Sequence, residues 1–299
     1  MFKWLAGLPL LLVTNFAFAW PEWDMQKQEF DGYIVGQGVA DSRVNAHKAA
    51  LAEIASQLSI NINVSQTLKI SKSGSTSDSE FKQKIQTTSL PFDLVGVEEI
   101  KTSSKGQQTA MLLGIKKEHL IGSLYGELSG LNRLAIPDAS VEQQFIHALE
   151  HEQELHRSTQ ILQVLEALDG KQLKFRSELK KLKQHHQQAL KQISCQIINN
   201  SIPKNVVAAI DNRLKCNGAK VIWVQPQLNW RYSDSGHIKY VEASLHIKFT
   251  HSIHPFNTLK EYNIVATSSG RSMETAKDEA INRLVIILNR PIRQWNSEQ

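Results

Sequence analysis

Cysteine is nearly absent from the chain, with two residues in 299. A scaffold held mainly by disulfides is therefore excluded. Proline (8) and glycine (15) are scarce, which rules out collagen-like and low-complexity chains. Beyond the first twenty residues, no apolar run approaches the roughly 20 residues that a membrane-spanning helix needs. No Gly-x-Ser-x-Gly elbow occurs, and no Walker-type lysine follows a glycine-rich turn. Gly36-Gln37-Gly38 lacks the third glycine of a dinucleotide loop, because Asp41 stands there. What remains is a globular composition, 41% hydrophobic and 21% charged, with a net charge of +5. The length accommodates two domains of ordinary size.

The first residues point to export. Lys3 is followed by a mostly apolar run from Trp4 to Val13, and Ala17-Phe18-Ala19 places small residues at −3 and −1. This is the pattern of a cleaved secretory signal over 1–19, so the expected location is the periplasm. An oxidising compartment favours a disulfide between Cys195 and Cys216. The alternative is two separate buried thiols.

The hydrophobic periodicity predicts an α+β fold: two small domains of helices on mainly antiparallel sheets, joined by a long helical hairpin. The boundaries fall at 20–136, 137–193 and 194–299. In the first domain, Gly32 to Ala40 reads as a strand, with Gly36 and Gly38 allowing close packing. Ser42 caps a helix whose apolar face is Ala46, Ala50, Ile54 and Leu58. Alternating apolar residues from Ile60 to Ile70 predict a strand, and Phe81 to Leu90 a more polar one. A hairpin around Lys105-Gly106 and a helix from Lys117 to Leu131 follow. The last domain reads β-α-β-β-β-α. Its final strand and helix repeat the pattern of Tyr33 to Leu58 at an offset near 230. That offset places Ser272, Ala276, Ala280, Leu284 and Leu288 on Ser42, Ala46, Ala50, Ile54 and Leu58.

Between the domains the charges segregate. Asp138 to Asp169 carries seven acids against Arg157, and Lys171 to Ile193 carries seven bases against Glu178. Two arms of opposite sign around Asp169-Gly170 predict an antiparallel hairpin with a coiled-coil-like seam. Folding back at Gly170 predicts ion pairs of Glu166 with Lys174 and of Glu150 with Lys191. One continuous helix with a tolerated glycine is the alternative. If the arms cancel each other, the basic run is no nucleic-acid footprint, and no recognition motif accompanies it.

The first domain resembles the LPP20 family of exported bacterial envelope proteins. The resemblance is carried by Pro21-Glu22-Trp23, Val35-Gly36-Gln37-Gly38-Val39-Ala40 and the run Ala49-Ala50-Leu51-Ala52-Glu53-Ile54-Ala55-Ser56-Gln57-Leu58-Ser59-Ile60. It continues in Leu94-Val95-Gly96-Val97-Glu98 and Leu113-Gly114-Ile115, and covers Trp20 to Leu131. The family includes outer-membrane lipoproteins and components of the sheathed flagellar basal body. It has no catalytic signature, so the resemblance implies no active-site residues. Ala19-Trp20 stand where an acylated cysteine would be, so no lipid anchor is expected.

His147 and His151 lie one helical turn apart and form the weak candidate for a zinc or copper site. The other reading is solvated helix histidines. No third ligand follows from the sequence, so neither a metal nor a cofactor is expected. No constellation supplies nucleophile, base and oxyanion donor, so catalysis is not expected either. The expected function is a scaffold or assembly factor of the envelope. Its partners would be envelope proteins, a second copy of the chain or basal-body components, met through a sheet edge or the hairpin. The alternative is a periplasmic protein binding a small ligand, lipid or metal.

Overall fold

The computed structural model describes residues 30–70, 90–198, 202–214, 216 and 218–296. The signal segment and the strand expected from Phe81 lie outside the described residues, except for Leu90. The fold is α+β. The packing groups the described residues into two compact units. The first contains 30–60, 90 and 94–120, and the second contains 61–70, 91–93 and the described residues from 121 onward. The helical hairpin thus groups with the C-terminal sheet.

In the first unit, β1 (Tyr33–Ala40), β2 (Val97–Lys105) and β3 (Gln108–Lys116) form an antiparallel sheet in the order β1-β3-β2. Gly106, with φ +61°, makes the tight β2–β3 turn. Helix α1 (Arg43–Ile70) starts at Ser42, whose Oγ accepts from the Asn45 N–H at 3.3 Å. Ala46, Ala50, Ile54 and Leu58 are buried, as their four-residue spacing predicts. The glycines of β1 permit this approach. A Cβ on Gly38 would lie 2.0 Å from the Ala46 carbonyl oxygen, and one on Gly36 would lie 2.3 Å from that of Ala50.

The strand expected over Ile60–Ile70 is instead the continuation of α1. Extending an existing helix adds one backbone hydrogen bond per residue fixed. A strand needs a neighbouring chain to satisfy the same groups, whatever its apolar alternation.

Helix α2 (Lys117–Ser129) follows, then a 3-10 turn at Leu131–Leu134. The second unit opens its hairpin with α3 (Val141–Asp169), whose cap Ser140 accepts from the Gln143 N–H at 3.3 Å. Gly170, with φ +79°, ends α3, and α4 (Leu173–Gln192) runs back, so the hairpin is two helices. The seam is apolar. Ile161, Leu162, Val164 and Leu165 of α3 are buried, as are Leu179, Leu182, His186 and Ala189 of α4.

The rest follows the expected β-α-β-β-β-α order: β4 (Ile193–Ile197), α5 (Lys204–Leu214), β5 (Lys220–Ser235), β6 (Ile238–His251), β7 (Thr258–Gly270) and α6 (Met273–Leu288). The sheet order is β4-β5-β6-β7, parallel only between β4 and β5. Phe145, Ile146 and Leu149 of α3 share its core with α5, α6 and Trp295. Cys195 of β4 and Cys216 are joined across the β4–α5–β5 crossover, with Cα atoms 5.2 Å apart.

The offset of 230 has a geometric counterpart. Ala276, Ala280, Leu284 and Leu288 are fully buried, like their partners in α1. Ser268 stands where Gly38 does, and its hydroxyl donates to the Ala276 carbonyl. A hydroxyl thus fills in β7 the gap that glycine leaves closed in β1.

Two predictions follow from this packing. Gly38→Ala should destabilise the protein by about 1–3 kcal/mol, because a methyl has no space against α1. Denaturant unfolding measures this, and an unchanged midpoint would reject the close approach. The pair Cys195→Ser with Cys216→Ser should cost about 3 kcal/mol. Thiol titration of the unreduced, denatured chain should find no free thiol.

Candidate functional site

The sheet edges, expected as contact surfaces, are capped at several backbone groups by the chain itself. On β1, the outward Gln37 N–H donates to the Glu53 carboxylate of α1. The outward Val35 carbonyl accepts from Gln57 Nε2 at 2.9 Å. On β7, the Asn263 N–H donates to Asn296 Oδ1 at 3.0 Å, and the Thr267 carbonyl accepts from Arg283 at 2.7 Å. Strand β2 carries a register shift between Glu99 and Lys101 and ends in exposed Lys105. Side-chain caps, bulges and lysines are the usual guards against strand addition.

The hairpin is a different surface from the one its charges suggest. Glu166 pairs with Arg176, at 2.8 Å to Nε, and not with Lys174. The link is Gly170 to Gln172, so the two helices are symmetric about Lys171 instead of Gly170. The mirror of Glu166 is therefore residue 176. Glu150 pairs with Lys260 at 2.7 Å and accepts from the Tyr262 hydroxyl at 2.9 Å, and not with Lys191. The other acids of α3 also face the C-terminal domain. Glu142 meets Lys220 at 2.8 Å, Glu152 meets Arg213 at 2.8 Å, and Glu154 meets Arg293. Tyr125 donates to Asp169 at 2.8 Å.

The acidic arm is thus neutralised mainly from outside the hairpin, and the basic arm keeps its charge. Lys171, Lys174, Lys180, Lys181, Lys183 and Lys191 have no ion-pair partner among the described residues. All but half-buried Lys183 are exposed. Burial holds the Lys183 ammonium below its ordinary value, with no anion opposing the shift.

The histidine candidates sit on the inner side of the same hairpin. His147 and His151 stack with ring centres 4.1 Å apart, and His186 of α4 lies 6.0 Å from His147. His186 Nε2 donates to the Leu134 carbonyl at 2.6 Å, which leaves its Nδ1 as a buried acceptor without a partner. His147 Nε2 is also buried and unpartnered. His151 Nδ1 bonds its own helix at the His147 carbonyl. Among the described residues, no group of three or more His, Cys, Asp or Glu is arranged to hold a metal. Burial is the largest cause holding both His147 and His186 below the ordinary imidazole value of 6.5. For His147 the neighbouring histidines add to it. The sequence allows His156, His185 and His186 to approach this pair once the hairpin forms, and the structure brings His186 to His147 on the seam beside Leu179 and Leu182.

A second constellation was missed by sequence reading. The buried Glu142 carboxylate accepts from Lys220 and contacts His251 Nδ1 at 3.2 Å. Burial opposes its ionisation, but Lys220, its own backbone N–H and His251 together hold it below the usual carboxylate range. An open cleft of about 510 Å³ adjoins it, lined also by Val221, Ile253 and His254. Lys220 and His251 both engage Oε1 of Glu142, while its Oε2 is buried and without a hydrogen-bond partner among the described residues.

No protein family's sequence profile matches the chain, and neither does any curated protein. Three solved structures show weak likeness. The secreted protein HP1454 from Helicobacter pylori is 16% identical with a TM-score of 0.40, over 87% of this chain and 97% of that one. A candidate lipoprotein from Caulobacter crescentus CB15 is 10% identical with a TM-score of 0.26, over 35% and 86%. A minor lipoprotein from Acinetobacter baumannii is 12% identical with a TM-score of 0.25, over 36% and 92%. These likenesses are too weak to carry an argument, and the resemblance to the LPP20 family rests on its motif residues alone. Among the described residues, no helix is long and apolar enough to cross a membrane.

The histidines generate a pH prediction. Their folded-state values lie below the unfolded one, so the unfolded chain binds more protons and stability rises with pH. Stability should be fully present above about pH 6.5 and fall as the pH drops below it. His186→Gln keeps a donor for Leu134 and removes one titration. It should flatten the pH dependence of the urea midpoint between about pH 7 and pH 5. An unchanged slope would reject a buried neutral His186.

Proposed function

We propose that the chain is an exported, non-enzymatic envelope protein that works by contact, as a scaffold or assembly factor, and that the outer face of α4 is its contact surface. The observation that supports this reading is the set of lysines on α4 and its turn that have no counter-ion among the described residues, while the acids of α3 other than Glu166 are bound outside the hairpin. The capped edges of β1 and β7 favour the hairpin over strand addition as the place of contact. The signal sequence and the LPP20-like motifs support an envelope location, and a flagellar destination is implied by that resemblance alone. The folded protein needs no cofactor in this reading.

Fractionation of a Gram-negative host producing the full chain tests it. The processed protein should associate with the envelope at low salt and be released by high salt. A variant carrying Lys174→Glu, Lys180→Glu and Lys181→Glu, with an unchanged circular dichroism spectrum, should shift to the soluble periplasmic fraction. Retention in the cytoplasm, or a variant that fractionates like the wild type, would overturn the reading.

A further inference from the structure

Resting on that contact reading, we infer that α4 docks on an anionic phospholipid surface, with its lysines on the lipid phosphates and Leu173 at the headgroup layer. Leu173, Lys180 and Lys191 are separated by nearly whole helical turns and share one stripe of the solvent face. Lys174 and Lys181 flank the stripe on one side and Lys183 on the other. Leu173 is 70% exposed at the start of α4, beside Lys171 and Lys174. The acids nearest this face are held back. Asp169 accepts from Tyr125, and Glu166 is paired with Arg176. Glu178 is the one acid of α4 and lies on the flank nearer the seam.

The composition of the face selects a lipid surface over an acidic protein. Protein interfaces concentrate aromatic residues and arginine around a dry apolar centre and are depleted in lysine. Here the exposed side chains of α4 are Leu173, Ser177 and His185 and otherwise lysine and glutamine, and Phe175 is half-buried against Tyr125 at 5.9 Å. The one arginine of α4 is engaged by Glu166. Lysine is a strongly hydrated point charge on a flexible stem. It suits a diffuse plane of phosphates, where each lysine near the surface contributes additively. The sequence-based exclusion of nucleic acid assumed that the two arms cancel. They do not cancel within the hairpin, so nucleic acid becomes an outcome that the test must separate.

The test is co-sedimentation of the purified mature chain with vesicles of phosphatidylcholine, with and without phosphatidylglycerol. Binding is expected only to the anionic vesicles, and should weaken steeply as salt shortens the screening length to about 8 Å and below. Lys180→Gln and Lys191→Gln should each lower partitioning about fivefold. Leu173→Ser should lower it further, and Lys105→Gln, at the end of β2, should leave it unchanged. Equal binding to both vesicle types, no binding, or binding indifferent to the α4 substitutions would overturn the inference. So would binding to duplex DNA without binding to anionic vesicles. If vesicles fail while envelope association in cells still depends on the α4 lysines, lipid docking falls and the contact reading stands. If that association is also lost, both fall.

Discussion

The attachment of α3 to the C-terminal sheet governs the rest of the second unit. Its first turns bury Phe145, Ile146 and Leu149 in the core. Glu142, Glu150, Glu152 and Glu154 point to cations of the same domain. Exposed pairs contribute little individually. Glu142 differs, because its carboxylate is buried, and loss of Lys220 would leave an uncompensated charge. Once these acids are committed, Arg176 still finds Glu166 on α3, but the α4 lysines find no counter-ion there. Apolar packing then holds the hairpin together, and a strongly basic outer face results.

Both sheets use one solution to a shared problem. A helix following a strand must lie close to it, and its backbone carbonyls then face the strand. Gly38 meets the Ala46 carbonyl by having no side chain, and Ser268 meets the Ala276 carbonyl by donating a hydrogen bond. The edges of β1 and β7 each have two backbone groups capped by side chains from the adjoining helix or the C-terminal turn. Strand pairing with another chain is therefore opposed, and contact is directed toward helical surface.

Much of the fold was legible because its signals are local. Ser42, Ser140 and Ser272 all open helices, and Gly170 closes one. The order of elements along the chain in the last domain followed from periodicity and turn signals. The error at Ile60–Ile70 came from a pattern that a helix tolerates when it is already growing from Arg43. The ion pairs were misread for two different reasons. Glu166 was displaced from Lys174 by the length of the turn, a shift of one residue in the mirror point. Glu150 was displaced by Lys260 and Tyr262, which lie more than a hundred positions away and leave no trace in the local pattern.

The sequence by itself determined the α+β class, the caps and the glycine approach of β1 to α1. Each of these depends on spacing within a few turns or on one residue's steric freedom. Only the tertiary structure decided which acids meet which bases. Charge segregation says that opposite signs exist, but a salt bridge requires side-chain atoms within 4 Å, and folding chooses among many candidates. That choice turned an apparently self-neutralising hairpin into one with a free cationic face. It also brought the buried His186 to the half-buried pair His147 and His151, a meeting that the spacing of the pair could not announce.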